Sequence, residues 1–191
     1  MSVNITLLAR IMYPHLYQPK AWQNEEGEPK YECVLVIDSK DPQIQTIVYE
    51  TAKIIAADLD GAQPSQDNYP LKPDTKNPLL AGCYTIRARS KFQPQVVDPQ
   101  RKAILDPNVP ADGDWVYASI QLYSYTKPRQ GVAASLNGVM FHGPGQQKLG
   151  TGGGPSVDEM FGHVPQQAAS TTTVAAPAQP QQNQPPGGFP Y

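Results

Sequence analysis

The sequence predicts a mainly β protein with one helix, folded as a small barrel with long loops and followed by a disordered tail. Three observations predict it. Residues alternate in type with a period of two at Val3–Arg10, Tyr84–Phe92 and Trp115–Tyr125, and Tyr31–Ile37 and Val132–Phe141 read as two further strands. A single stretch, Ile44 to Ile55, repeats at helical spacing instead. From Val164 to Tyr191 there is no charged side chain, and Gln, Pro, Ala, Thr and Gly dominate. A segment of that composition cannot bury enough apolar surface to form a core. The expected division is one domain over 1–161 and a disordered Pro/Gln/Gly-rich tail over 162–191. A chain of 191 residues is long enough for one such domain with an appendage and too short for two ordinary ones.

Taken in order, Val3, Ile5, Leu7 and Ala9 oppose Asn4, Thr6, Leu8 and Arg10 in a first strand. Tyr13 to Lys20 is aromatic and broken by Pro14 and Pro19, and is expected to add a bent strand of its own running toward Trp22. Asn24 to Pro29 reads as a turn, and Tyr31 to Ile37 as a strong strand stopped by Asp38 to Pro42. Asp41 is the expected helix cap, with Pro42 at the first helical position. Ile44, Ile47, Val48, Thr51, Ile54 and Ile55 then form the buried stripe of an amphipathic helix. Gly61 to Pro78 is a long irregular loop, and a second loop from Pro94 to Asp114 has the length of a flap over a binding face. Val132, Ala134, Leu136 and Val139 are expected to pack in a closing hairpin strand. Five principal strands, one helix and long loops fit an OB-like barrel. The helix of that fold ordinarily follows the third strand, which is why a separate Tyr13–Lys20 strand is expected here.

Two strands carry unusual outward faces. Val116, Ala118, Ile120 and Leu122 point one way on the strand from Trp115; Trp115, Tyr117, Tyr123 and Tyr125 point the other, with Ser119 and Gln121 between them and Lys127 and Arg129 following. Flat rings at intervals along an extended backbone, ending in cations, suit stacked bases and phosphates. The same rings suit burial between two layers equally well. On the second strand Tyr84, Ile86, Ala88 and Phe92 oppose Thr85, Arg87, Arg89 and Lys91. The three cations repeat every 6 to 7 Å or so, two residues along a strand. A solvated or edge-protecting face is the plainer reading of such a row. If the two strands are neighbours, rings stand beside cations, as single-strand binders require.

A formal net charge of −2 excludes a histone-like or polybasic protein, so any nucleic-acid site is a local patch. Cys33 and Cys83 lie far apart in strand contexts and suit buried thiols in a reducing compartment. With no targeting pattern and no bilayer-length apolar run, the expected location is the cytoplasm, that of the host if the chain is viral. Gly143 to Lys148 lacks the glycine before the lysine and the Ser/Thr after it that a phosphate loop needs. His15, His142 and His163 have no ligand spacing, and the Asp58/Asp60 and Asp112/Asp114 pairs sit in turn contexts. No catalytic residue, metal or cofactor is expected.

The chain also resembles a known family. Tyr13 to Lys20, Pro29-Lys-Tyr31, Gly82 to Lys91, Val97-Asp98, Val116 to Ser119, Tyr123-Ser-Tyr125, Gly131-Val132, Leu136-Asn-Gly-Val139 and Ser156-Val-Asp-Glu-Met-Phe161, in that order, are similar to a bacteriophage single-stranded DNA-binding protein family with an OB fold. The resemblance implies coating and protection of single strands during phage DNA replication and recombination, without sequence preference and without catalysis. The Pro/Gln/Gly tail is similar to the tails of bacterial single-stranded DNA-binding proteins, a resemblance that implies replication or recombination proteins as its partners. This tail ends Gly187-Gly-Phe-Pro-Tyr191, without the acidic residues of comparable bacterial tails. The expected site is Arg87, Arg89, Lys91, Trp115, Tyr117, Tyr123, Tyr125, Lys127 and Arg129, and the expected partner is single-stranded DNA. The alternative is a phage structural or assembly protein whose aromatic face is a protein interface, because interfaces favour the same residues.

Overall fold

The computed structural model describes residues 1–21, 28–74, 77–145 and 149. The predicted tail, Ser156–Phe161, Trp22 and most of the 24–29 turn lie outside them. The chain forms β1 (Ser2–Lys20), β2 (Lys30–Asp38), α1 (Gln43–Asp58), β3 (Leu71–Pro73), β4 (Cys83–Ser90), β5 (Gln95–Val97), β6 (Trp115–Tyr125) and β7 (Gly131–Gly143). The sheet runs β3-β4-β2-β1-β6-β7-β5, and β4 returns to pair with β7 in parallel at Ala88↔Ala134 and Arg89↔Ser135. That pairing closes β1, β2, β4, β7 and β6 into a five-stranded OB-like barrel.

β1 is continuous, which corrects the expectation of a separate Tyr13–Lys20 strand. Its first half pairs with β6 from Ser2↔Tyr123 to Arg10↔Trp115, and its second half pairs with β2 from Arg10↔Val36 to Lys20↔Lys30. The ladder slips between Met12 and His15, where Tyr13 adopts a left-handed φ of 50°. The strand bends there, as bulged strands do, and so serves both halves of the barrel. The helix therefore follows the second barrel strand, not the third.

Alternation fills the barrel as expected. Leu7, Ala9, Ile11, Leu35, Ile86, Ala88, Val116, Ala118, Ile120, Leu122, Val132, Ala134, Leu136 and Val139 share one buried cluster with Ile44, Ile47, Ile54 and Ile55 of the helix. Val48, predicted for the buried stripe, is instead half exposed. Asp41 caps α1 by accepting from the Gln43 amide at 2.9 Å. The Gln43 side chain in turn bonds both the amide and the carbonyl of Leu8, which pins the start of the helix to β1. β2 is buried without alternation from Glu32 to Ile37 because both of its faces are covered. On the outside, Val34 and Val36 pack with Met12, Leu80 and Leu149. Asp112 accepts from the Leu149 amide and the Asn77 side chain donates to the Leu149 carbonyl, fixing that cover in place.

Three further expectations change. The Gly61–Pro78 loop contains β3, which extends the sheet beside β4. Phe92, placed by alternation on the inner face, is 83% exposed, because the chain leaves β4 at Ser90 and its period ends there. The 94–114 segment is tied down along its length. β5 pairs with β7, Ala103 bridges Val97, Tyr17 Oη donates to the carbonyls of Ile104 and Val109, and Ile11 exchanges backbone bonds with Gly113 and Asp114. It is a fixed wall, not a flap.

Candidate nucleic-acid interface

β6 presents its rings to the outside as expected, but at two stations. Trp115 is 40% and Tyr123 38% exposed, while Tyr117 and Tyr125 are half-buried. Tyr117 packs edge-on against His142, with centroids 5.2 Å apart and planes at 78°. The Tyr125 hydroxyl lies over Gly131, where no Cβ would fit, and burial, with Tyr123 nearby, raises its pKa. Between the stations stand Ser119 and Gln121. Tyr123 lies six steps beyond Tyr117, about 20 Å along an extended strand.

The cationic strand is not the neighbour of this strand. β4 and β6 flank β7, and the register carries Gln121 across Ser135 to Arg89. Two interstrand spacings, roughly 10 Å, therefore separate rings from cations. The outward residues of β7 at this level are Ala133 and Ser135, both small, so the rings of β6 and the cations of β4 rise as two walls beside a low floor.

The cations differ among themselves. Arg87 is exposed. Arg89 is not: its Nε donates to Glu32 Oε2 at 2.9 Å, and the side chains of Arg89 and Glu32 are only 24% and 3% exposed. Lys91 forms an exposed ion pair with Glu28 at 3.2 Å, an arrangement that contributes little and yields readily to a competing anion. Lys127 and Arg129 lie exposed in the β6–β7 turn next to the Tyr123/Tyr125 station.

Arg10 was not among the sequence candidates, yet it lies directly opposite Trp115 on the outer face, with its Nε donating to the Gly113 carbonyl. Exposed Tyr13 and Phe92 were missed too. Pairing register brings Arg10 to Trp115, and register cannot be read from one strand. The exposure of Phe92 follows from where β4 stops.

A separate apolar cavity of about 400 Å³ lies between α1 and the 69–71 segment, lined by Ile44, Val48, Ala52, Tyr69, Leu71 and Tyr84 among others. No charged side chain lines it, so it has nothing to offer a phosphate backbone. Among the described residues no group of three or more His, Cys, Asp or Glu could hold a metal ion, and no helix is long and apolar enough to cross a membrane. Cys33 and Cys83 are free thiols, and burial, with Glu32 beside it, pushes the Cys33 pKa up to about 12.

The family model described as that of the Enterobacter phage Enc34 single-stranded-DNA-binding protein matches residues 1–171. This chain belongs to the Enc34 family. Among solved structures, the Enc34 protein itself aligns with a TM-score of 0.63 at 24% identity, covering 83% of this chain and 89% of that one. The Enc34 protein in complex with single-stranded DNA aligns with a TM-score of 0.64 at 24% identity, over 78% of this chain and 89% of that one. The single-stranded DNA-binding protein gp2.5 of bacteriophage T7 aligns with a TM-score of 0.54 at 21% identity, over 88% and 98%. No curated protein sequence matches. The structural likenesses place the Enc34-family barrel seen here among phage barrels of the same fold.

Proposed function

We propose that this protein binds single-stranded DNA without sequence preference and coats and protects single strands during phage DNA replication and recombination. The observation that carries the reading is membership of the Enc34 family over residues 1–171. The mechanism rests on the outer face of the barrel. Bases stack on Trp115 and Tyr123, with Tyr117 and Tyr125 backing them, and each stack contributes about 1–3 kcal/mol. Arg87, Lys91, Lys127 and Arg129, joined by Arg10 beside Trp115, neutralise phosphates. Arg89 serves the site by holding β4 to β2 through Glu32. Rings accept any base and phosphate contacts carry no sequence information, so selectivity among sequences is weak and salt dependence is marked.

The test is fluorescence anisotropy of labelled oligothymidine at low and moderate salt, with duplex of equal length as competitor, for wild type, Trp115→Ala and Arg87→Ala. Support is tight binding that duplex does not displace and that salt and both substitutions weaken. Failure of the folded protein to bind at low salt would overturn the proposal, and the rings of β6 would then belong to a protein interface.

A further inference from the structure

β5 runs along β7, turns at Asp98–Lys102, and returns through Ala103 and Ile104 to form a short hairpin. The turn is closed tightly: the Asp98 amide donates to the Lys102 carbonyl, the Arg101 amide to the Asp98 carbonyl, and the Lys102 amide to Asp98 Oδ1. Its base is rigid, because Val96 and Ile104 pack into the barrel core and the Ile104 amide donates to the Val96 carbonyl. Tyr17 holds the Ile104 carbonyl from the side.

Arg101 sits in this turn at a left-handed φ of 64°. Glycine or asparagine occupies such a position at least cost, since a longer side chain brings its Cβ against the backbone. Residues held in that region at a cost cluster at functional sites. The cost here keeps a guanidinium at the tip of a stiff arm. Lys102 follows it; both side chains are exposed, and neither forms an ion pair among the described residues. At the root stand Phe92 and Leu105, 83% and 85% exposed, the most exposed large apolar side chains among the described residues. Phe92 follows Lys91 just past the end of β4, with its amide fixed to Ser90 Oγ at 3.0 Å.

An exposed ring just past a cationic strand, followed by two exposed cations on a tightly bonded hairpin, offers stacking and phosphate chemistry together. We propose that the 92–105 hairpin is a second single-strand contact: Phe92 stacks a base, and Arg101 and Lys102 take phosphates of nucleotides that have left the barrel face. This rests on the single-stranded DNA reading above and extends it beyond the residues named there.

The experiment compares wild type, Phe92→Ala, Arg101→Gly and Arg101→Asn on oligothymidines of increasing length, with a thermal melt of each. Wild type gains affinity once the oligonucleotide is long enough to reach the hairpin. Phe92→Ala binds long oligonucleotides about tenfold more weakly, the loss of one stack, and short ones as wild type does. Arg101→Gly melts higher than wild type, because the strain is relieved, yet binds long strands more weakly, with the slope of log K on log salt reduced by about 0.7 for the lost phosphate. Arg101→Asn tolerates the same backbone without the charge and behaves likewise. A more stable variant that binds less separates ligand contact from a merely structural role. If the variants bind long strands as wild type does, the hairpin proposal falls alone and its exposed apolar residues mark a protein contact. If folded wild type binds no length, both proposals fall.

Discussion

Arg89 Nε lies 2.9 Å from Glu32 Oε2, directly across the β2–β4 ladder, and the carboxylate is almost wholly buried. The pair divides a row of cations that looks uniform in sequence. Arg87 and Lys91 face solvent, while Arg89 turns its charge toward the adjacent strand. A buried carboxylate with its cation removed is costly, so Arg89 acts on stability before it acts on any ligand.

Arg89→Ala is accordingly expected to lower stability by about 3 kcal/mol, near the lower end for breaking a buried pair because the arginine keeps some solvent. Arg87→Ala is expected to change stability by less than about 1 kcal/mol. Urea unfolding of the two variants checks this, and equal losses would contradict it. A double substitution at these positions would mix unfolding with lost phosphate contact.

Trp115→Ala and Tyr123→Ala are each expected to weaken oligothymidine binding by about 1–3 kcal/mol, or roughly fivefold to 150-fold. The two stations lie far apart on β6, so their effects should add. Titrations of the two single variants and the double variant at constant salt read both quantities. Unchanged affinity in both single variants would remove the rings from the site.

Tyr17→Phe removes the hydroxyl shared by the Ile104 and Val109 carbonyls. The expected loss is about 1–2 kcal/mol. Amide hydrogen exchange should accelerate in residues 98–113, where Tyr17 pins the wall, and remain slow in β7. Uniform acceleration across the barrel would show that the bond serves global stability instead.

His15 lies opposite Glu32, and its pKa is lowered from 6.5 by burial first and by Lys20 second, with Glu32 opposing. A histidine with a depressed folded pKa binds its proton less readily folded than unfolded. Unfolding therefore takes up a proton below the unfolded pKa, and stability rises with pH through that window. Thermal melts from about pH 7 to about pH 5 should show stability falling on acidification, and His15→Gln should flatten part of that slope. A variant profile parallel to wild type would exclude His15 as a contributor.

Much of the barrel is legible in the sequence because burial on one face of a strand imposes a period of two, and that period is local. Val116 to Leu122 and Val132 to Leu136 are placed inside by alternation alone, whereas Val139 comes inside only past a register shift opposite Ser119 and Ile120. Asp41 and Pro42 mark the helix start through equally local chemistry. Relations that depend on register are not legible. Alternation shows that Arg87 and Trp115 point outward but not that β7 stands between their strands, nor that Arg10 meets Trp115. Glu32 is the one charged residue of Tyr31–Ile37, and it is buried where register sets it between His15 and Arg89. Tyr13 to Lys20 contains two prolines and reads as a new strand, whereas the bulge at Tyr13 lets β1 continue through it.

The parallel seam at Ala88↔Ala134 and Arg89↔Ser135 also governs how copies of this chain behave together. Open sheet edges fuse when chains are crowded, and a closed barrel leaves few of them. The outlying strands are short: β3 carries Lys72 and ends in Pro73, and β5 is met on its free side by Ala103. With its edges blunted in this way, copies of the chain can be crowded together without their sheets joining into an aggregate.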